Sequence, residues 1–170
     1  MIKVYKNFLD ETFLRELTSD LKNKINTSEP TWASNLAWNQ NVTKSSAVVL
    51  MHQIRDQNVI NTIFKEYKKI NNGIKDLTIT FYVWTKGSYI PLHDDNHPKY
   101  TGGSTIYLNE KWHPDWGGLF LWQDDQKKFH AEVPEFNKMI LNDKFVNHGT
   151  TLISQDAQEF RLTLQVFFLK

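Results

Sequence analysis

Residues 91–96 carry two side chains of the kind that bind divalent metal ions. The segment reads Pro-Leu-His-Asp-Asp-Asn, so His93 and Asp95 are two positions apart. Alternate side chains of an extended strand share a face, which would place His93 beside Asp95 and point Asp94 the other way. An imidazole nitrogen and a carboxylate oxygen on one face are two neighbouring metal ligands. An ordinary polar turn is the alternative, and this segment alone does not separate the two.

A second histidine, His148, lies much further along the chain, in an Asn-His-Gly-Thr segment that begins at position 147. The interval between His93 and His148 leaves room for several strands. Two histidines and one carboxylate on one face of a metal leave three octahedral positions open. That arrangement suits Fe(II) oxygenases, because oxygen and a bidentate cosubstrate need open positions. A histidine satisfied within a turn is the alternative.

The third feature is an arginine within an apolar strand, in the sequence Phe-Arg-Leu-Thr-Leu that ends at position 164. A guanidinium there needs a partner, since leaving its charge buried and unpaired is costly. A carboxylate is the best geometric match for Arg161. Thr163 faces the same side and is placed to donate a second hydrogen bond to that carboxylate. An internal salt bridge to an aspartate or glutamate is the alternative.

Two amphipathic helices are predicted before these segments. Asp10 caps a helix that runs to about Lys24, and Asp56 caps another that runs to about Asn71. From Leu77 onward, short runs of β-branched and aromatic residues alternate with turn signals. The predicted strands are Leu77–Thr85, Thr101–Asn109, Leu119–Trp122, Lys128–Val133, Lys138–Asn142, Asn147–Leu152 and Arg161–Leu169.

This pattern indicates a mainly β, α+β protein in which an antiparallel sandwich or barrel carries the chemistry. The length of 170 residues favours one domain over residues 1–170, with a helical part over about 1–75 and a β core over about 77–169.

Composition excludes several classes of site and partner. The chain has no cysteine, which excludes disulfides, thiolate zinc sites and cysteine nucleophiles. Twenty basic and 19 acidic residues give a net charge of +1, so no nucleic acid or anionic membrane is expected as a partner. We find no apolar run long enough for a membrane span and no secretory signal, and we expect a cytoplasmic location. The oligomeric state is left open.

The order of His-x-Asp, a long interval, His and then Arg-x-Thr resembles the Fe(II)/2-oxoglutarate-dependent dioxygenases. More narrowly, it is similar to their prolyl 4-hydroxylase-like branch. The resemblance covers roughly residues 78–169 and extends to the Phe-Leu-Asp-Glu opening at position 8. Three further stretches are similar to that branch: Tyr107-Leu108-Asn109 followed by Trp112, Trp116-Gly117-Gly118-Leu119, and the lead-in from Trp84 to Gly87.

The resemblance implies a double-stranded β-helix, or jelly roll, with the N-terminal helices packed on one sheet. It implies Fe(II) bound by His93, Asp95 and His148, with 2-oxoglutarate and molecular oxygen as cosubstrates and ascorbate as a candidate reductant. Arg161 would pair with the distal carboxylate of 2-oxoglutarate. The side chains expected to assist it are Thr163 and the Tyr107 hydroxyl.

Two departures from the family pattern leave parts of the site open. Trp84 stands where many relatives carry a tyrosine, so a phenolic contact to the cosubstrate is either lost or supplied by Tyr82. Asn142 and Asp143 precede the second histidine where an aromatic is common, which leaves the shape of that wall undecided. His52 is expected to be a packing or surface residue, and His97 to support the metal ligands from nearby or to be exposed. Structural roles are expected for His113 and His130, and packing or a cleft-lining role for Trp32 and Trp38.

The resemblance implies hydroxylation of prolyl residues in a peptide or protein. Two alternatives stay open. One is the same chemistry on a free amino acid or another small molecule, because substrate specificity lies in loops such as 96–103 and 111–117. The other is a non-catalytic jelly-roll binding module in which the histidines are incidental.

Overall fold

The computed structural model describes residues 1–26 and 47–170. Short strands follow one another through most of this part of the chain, with a 3-10 turn at Pro114–Trp116. The elements are β1 (Lys3–Tyr5), α1 (Glu11–Asn26), β2 (Val49–Gln53), α2 (Gln57–Ile70), β3 (Asp76–Trp84), β4 (Ile90–His93), β5 (Tyr100–Tyr107), β6 (Phe120–Gln123), β7 (Phe129–Glu132), β8 (Met139–Asn142), β9 (His148–Thr150) and β10 (Arg161–Leu169).

In the described part of the chain, these strands form two antiparallel sheets. The larger sheet has the order β1-β8-β5-β10-β3-β2, and the smaller has the order β4-β9-β6-β7. Side chains from both sheets meet between them: Tyr107 and Ile140 of the larger sheet pack with Phe120 of the smaller one. The two sheets therefore face each other as the walls of a sandwich, as expected for a jelly roll.

The helices cover the outer face of the larger sheet, as predicted. Alternate side chains of its central strands point outward and share one apolar core with both helices. That core includes Leu14 and Leu21 of α1, Ile63 and Tyr67 of α2, Ile79, Phe81 and Val83 of β3, and Leu162, Leu164 and Val166 of β10. The intervening side chains of β3 and β10 point inward. Each of these strands therefore packs against the helices with one face and lines the space between the sheets with the other.

Both predicted helix caps are confirmed. The Asp10 side chain accepts a hydrogen bond of 2.9 Å from the Phe13 N–H at the start of α1. The Asp56 side chain accepts one of 2.8 Å from the Asn58 N–H at the start of α2. Each carboxylate satisfies a backbone donor that the first turn of a helix leaves without a partner.

Three short strands are not among the predicted ones. Strands β1 and β2 lie within the part expected to be helical, and they form the two edges of the larger sheet. Strand β4 places His93 beside β9. These strands have three to five residues, too few for a clear alternation of apolar and polar side chains. Within residues 1–26 and 47–170, neither helix is long and apolar enough to span a bilayer.

One buried side chain fixes the start of β10, the strand that begins with Arg161. Asn109 is fully buried, and its amide donates a 2.7 Å hydrogen bond to the Phe160 carbonyl. Its side-chain oxygen accepts a hydrogen bond of 2.7 Å from the Leu162 N–H. The asparagine of the Tyr-Leu-Asn motif therefore holds the backbone on both sides of Arg161.

We expect Asn109→Ala to lower the free energy of unfolding by about 2–4 kcal/mol, because it leaves a buried N–H and a partly buried carbonyl without partners. Urea unfolding followed by circular dichroism measures this change. Asn72→Ala, at an exposed turn position after α2, is the matched control and should change stability by less than about 0.5 kcal/mol. Equal effects of the two substitutions would contradict the role of the Asn109 clamp.

Candidate active site

Two histidines meet on neighbouring strands of the smaller sheet. His93 ends β4, His148 begins β9, and the two are paired in register. Their ring centroids are 4.5 Å apart. Residues paired across antiparallel strands place their side chains on the same face. The antiparallel pairing of β4 with β9 therefore brings together two histidines that are far apart in sequence.

Asp95 joins them from just beyond the end of β4. One carboxylate oxygen lies 3.3 Å from Nε2 of His93, and the other lies 3.3 Å from Nε2 of His148. Asp94 is exposed, as the alternation of an extended segment predicts. His93, Asp95 and His148 each offer one potential metal-binding atom, and these atoms all lie within 4.8 Å of one another. The segments around His93 and His148, which the sequence predicts to lie close together, therefore do so in the structure.

Backbone carbonyls orient both imidazole rings. Nδ1 of His93 lies 2.9 Å from the Pro91 carbonyl, and Nδ1 of His148 lies 2.9 Å from the Val146 carbonyl. A carbonyl oxygen only accepts, so each Nδ1 carries a proton and Nε2 is the ring nitrogen that faces Asp95. In the neutral form of each ring, which is the form that binds a metal ion, Nε2 then holds the free lone pair. Two lone pairs and a carboxylate then converge on one point, which is the donor set of a divalent cation site.

Asn142, one of the departures from the family pattern, builds the turn before His148. Its amide donates to the Val146 carbonyl over 2.9 Å, and its oxygen accepts from the Val146 N–H over 2.8 Å. The amide nitrogen also lies 3.2 Å from Nδ1 of His148. On the other side, the Phe120 ring stacks on His148 at 5.1 Å. The asparagine thus fixes the carbonyl that orients the histidine.

His93, Asp95 and His148 form a triad of candidate metal ligands, and contacts among them shift the pKa values of Asp95 and His93. Burial alone would raise the pKa of Asp95, but the hydrogen bonds with His148 and His93 and the charges of the two rings together outweigh burial and hold this pKa well below its usual range. Burial would lower the pKa of His93, but the hydrogen bond and the charge of Asp95, together with the Pro91 carbonyl and the charge of Asp94, raise this pKa above its usual value. Asp95 is therefore a carboxylate throughout the physiological pH range, as a metal ligand must be.

The predicted arginine is the largest fully buried side chain described, with a relative exposure of 1%. Its guanidinium lies 4.9 Å from the Trp84 ring and 5.0 Å from the Tyr107 ring. Nη2 donates a 3.3 Å hydrogen bond to the Tyr107 hydroxyl. Nε and Nη1 of Arg161 have no hydrogen-bond partner among residues 1–26 and 47–170.

No aspartate or glutamate in the described ranges forms a salt bridge with this arginine, so the predicted alternative of an internal ion pair is not found there. Burial lowers the pKa of Arg161, and the nearby Tyr107 partly opposes this effect. A guanidinium keeps its charge even so. Arg161 is therefore a buried cation with two donors that face no protein acceptor, which fits an anionic ligand such as a carboxylate.

Gly118, in the Trp-Gly-Gly-Leu stretch, makes room for this arginine. Gly118 has a positive φ of 64°, and a Cβ there would lie 2.8 Å from Cδ of Arg161. At Gly117, a Cβ would lie 2.0 Å from the Leu152 carbonyl oxygen. The Trp112 indole donates a 2.9 Å hydrogen bond to the Gly117 carbonyl. The Trp-Gly-Gly-Leu stretch leaves space for Arg161, and Trp112 holds the turn that contains this stretch.

Thr163 and two aromatic side chains complete this wall. Thr163 follows Arg161 on the inward face of β10, and its hydroxyl oxygen accepts a 3.1 Å hydrogen bond from the Trp84 indole. Tyr82 lies on the same face of β3 as Trp84, at a ring distance of 6.1 Å. Burial, with smaller effects of Asp95 and Tyr100, raises the pKa of Tyr82 to about 12, so it remains a neutral phenol.

One cavity connects the triad with the arginine. Its volume is about 240 Å³, slightly below the usual range of small-molecule sites. It lies between the sheets, and its lining includes all three triad residues, Arg161, Thr163 and Tyr82. Tyr107 contacts Arg161 through its ring and hydroxyl at the edge of this wall. The triad and the guanidinium of Arg161 thus line one cavity. Within the described ranges, Nε and Nη1 of this guanidinium have no hydrogen-bond partner.

A family model described as the 2OG-Fe(II) oxygenase superfamily matches residues 79–169, more than half of the chain. The chain belongs to this superfamily. It is a 2-oxoglutarate-dependent dioxygenase, and the cofactors of the superfamily are Fe(II), 2-oxoglutarate and molecular oxygen. The geometry is compatible with these cofactors, because it offers three converging metal-binding atoms and a buried guanidinium whose Nε and Nη1 have no hydrogen-bond partner in the described ranges.

Solved structures confirm the predicted jelly-roll fold. A Pseudomonas putida prolyl-4-hydroxylase matches with a TM-score of 0.80 at 17% identity, covering 99% of this chain and 92% of that one. A Trichoplax adhaerens prolyl hydroxylase in complex with a hypoxia inducible factor peptide fragment matches with a TM-score of 0.78 at 16% identity, over 99% and 83%. The viral collagen prolyl hydroxylase of Paramecium Bursaria Chlorella virus-1 matches with a TM-score of 0.64 at 14% identity, over 99% and 96%. No curated protein matches the sequence.

The other histidines lie outside the triad. His97 is exposed and packs on Tyr100 at 5.2 Å. The His113 side chain caps the 3-10 turn by accepting from the Asp115 N–H. His130 stacks on Trp122 and lies 2.7 Å from the Asp124 carboxylate. His52 lies on β2. Trp32 and Trp38, for which packing or a cleft-lining role is expected, lie outside the described residues.

We expect Arg161→Met to separate stability from cosubstrate binding. Replacing a buried unpaired cation by an apolar side chain should leave the free protein as stable as before, or more stable by up to about 4 kcal/mol. Stabilisation by 2-oxoglutarate should disappear, since only a ligand that binds the native state raises stability. Thermal unfolding with Mn(II), with and without 2-oxoglutarate, measures both effects.

Arg15→Met is the control for this experiment, because Arg15 is a surface arginine paired with Glu11 and Glu110. It should keep the response to 2-oxoglutarate. An Arg161→Met protein that 2-oxoglutarate still stabilises as strongly as the unsubstituted protein would show that the cosubstrate binds elsewhere.

Proposed function

We propose that this enzyme hydroxylates prolyl residues of a peptide or protein. In this proposal His93, Asp95 and His148 hold Fe(II), and Arg161 binds the distal carboxylate of 2-oxoglutarate. The observation that carries it is the shared cavity, in which the triad and the unpaired guanidinium of Arg161 face the same space.

The bound metal and cosubstrate supply the oxidising chemistry: one oxygen atom of O₂ enters a C–H bond of the substrate, and the other enters succinate as CO₂ is released. The protein contributes orientation and exclusion of water. Pro91 and Val146 turn the two histidines toward the metal position through their carbonyls. Asp95 adds a negative charge, which a divalent cation needs among neutral ligands.

Two hydroxyl groups assist Arg161 in this proposal. Tyr107 accepts the Nη2–H of the arginine, and burial raises its pKa, so its own proton stays available for a carboxylate. Thr163 accepts from Trp84 and is likewise left with a proton to donate. Tyr82 is a further donor toward the cosubstrate, placed between the triad and Trp84 on the inward face of β3.

The proposed substrate class rests on the structural neighbours and on the wall of the cavity beside Asp95. The neighbours are named prolyl hydroxylases, and one of them is described with a bound peptide. In this chain the Tyr100 ring stacks on Phe167 at 4.4 Å, and both line the cavity. An aromatic wall suits an apolar pyrrolidine ring. Ascorbate is proposed as the reductant that returns oxidised iron to Fe(II).

We expect succinate release from 2-oxoglutarate to be stimulated by proline-containing peptides more than by free proline. Mass spectrometry should find one added oxygen atom on a prolyl residue of the peptide. Stimulation by a free amino acid or small metabolite alone would favour the alternative substrate class, and the peptide proposal would then be wrong.

Asp95→Ala and Asp94→Ala are a matched pair for the same assay. Asp95→Ala should abolish peptide-dependent succinate release, because the metal loses its only carboxylate ligand. Asp94 is exposed on the opposite side of the segment, so Asp94→Ala should keep most of the activity. Near-normal turnover by Asp95→Ala would refute the proposed metal site.

A further inference from the structure

Trp84 lies directly across the larger sheet from Arg161, since the two residues are paired in register between β3 and β10. Both side chains are buried and point inward, and the guanidinium lies over the indole ring at 4.9 Å. The indole N–H donates to the Thr163 hydroxyl over 3.1 Å. One tryptophan therefore touches both of the groups proposed to bind the distal carboxylate.

The hydrogen bond with Trp84 determines how the Thr163 hydroxyl can bond to a ligand. A hydroxyl group has one proton and two lone pairs, and an indole N–H is a donor only. The oxygen of Thr163 must therefore act as the acceptor toward Trp84. Within residues 1–26 and 47–170, the Trp84 indole is the hydrogen-bond partner of this hydroxyl, and no acceptor takes its proton. Because Thr163 lines the cavity, that proton is left to a ligand in it.

We propose that Trp84 is a positioning residue: its indole N–H orients the Thr163 hydroxyl to donate to the distal carboxylate of 2-oxoglutarate. The inference rests on the proposed function of this cavity. Trp84 stands where a tyrosine is common in the family, and in this chain the position supports cosubstrate binding through Thr163. A phenylalanine at position 84 keeps an aromatic ring against the guanidinium but removes the donor.

The consequence is a selectivity for dicarboxylate cosubstrates. A hydroxyl that is already oriented as a donor loses less conformational entropy when a carboxylate binds. The Trp84 N–H should therefore increase the affinity for 2-oxoglutarate. It should not increase the affinity for 2-oxovalerate, a 2-oxo acid of the same chain length without the distal carboxylate. A purely structural role of Trp84 would weaken both ligands alike.

The test is an anaerobic titration of the Fe(II)-loaded protein with each 2-oxo acid, followed by the visible absorption band of the chelate. We expect Thr163→Val to weaken 2-oxoglutarate about tenfold to a hundredfold, and Trp84→Phe to weaken it about threefold to tenfold. Thr163→Ser, which keeps the hydroxyl, should restore most of the affinity. Affinity for 2-oxovalerate should change less than about twofold in all three variants.

The double variant separates this role from the contact with Arg161. If Trp84 acts through Thr163, Trp84→Phe has no further effect on 2-oxoglutarate affinity in a Thr163→Val background. A full threefold to tenfold loss in that background would overturn the inference while leaving the proposed function intact. If the unsubstituted protein itself gives no band with 2-oxoglutarate, the proposed function fails instead.

A second measurement leaves position 84 unchanged, which matters if Trp84→Phe does not fold. With Zn(II) in place of Fe(II) and ¹⁵N-labelled tryptophan, Thr163→Val should shift the Trp84 indole resonance strongly. Saturating 2-oxoglutarate should move the same resonance downfield, because a hydroxyl that donates to a carboxylate becomes a stronger acceptor. An indole resonance that responds to neither change would overturn the inference.

Discussion

The buried guanidinium of Arg161 is the constraint to which much of the site conforms. A cation removed from water without a partner costs several kcal/mol, and two of its donors face no acceptor in the described part of the chain. Neighbouring residues reduce that cost only in part: Trp84 and Tyr107 stack on the guanidinium from two directions. In the proposed function, the distal carboxylate of 2-oxoglutarate offsets the remaining cost by accepting hydrogen bonds from Nε or Nη1 of Arg161.

The family motifs lie far apart along the sequence but have this arginine in common. Asn109 holds the backbone on both sides of it, and Gly118 leaves space for its side chain. Trp112 holds the turn that contains this glycine pair through the Gly117 carbonyl. Each motif therefore helps to position the long charged side chain of Arg161 between the two sheets.

The triad is positioned by the smaller sheet, and Arg161 by the larger one. The pairing of β4 with β9 brings His93 to His148, while the pairing of β3 with β10 brings Trp84 to Arg161. The distance between the two histidines and Arg161 is thus fixed by how the two sheets pack. Contacts such as that of Tyr107 and Ile140 with Phe120 are part of the active-site geometry as well as of the core.

Sequence patterns were sufficient for the parts of this structure that depend on local chemistry. The caps at Asp10 and Asp56, the strand nature of β10 and the shared face of His93 and Asp95 all follow from spacing. Strands β1, β2 and β4 were not predicted because they are held by their neighbours in the sheets and are too short to show a period. The bond between Trp84 and Thr163 depends on cross-strand register, and the role of Asn142 depends on the turn before His148. Neither is visible in the spacing of residues along the chain.

The most direct test of this account is a crystal structure obtained without oxygen, with Mn(II) or Fe(II) and 2-oxoglutarate bound. We expect a metal ion coordinated by His93, Asp95 and His148. We also expect the distal carboxylate at hydrogen-bond distance, about 2.7–3.2 Å, from Nε or Nη1 of Arg161. A distal carboxylate bound elsewhere, with the guanidinium still unpaired, would contradict the central claim that Arg161 is buried in order to bind the cosubstrate.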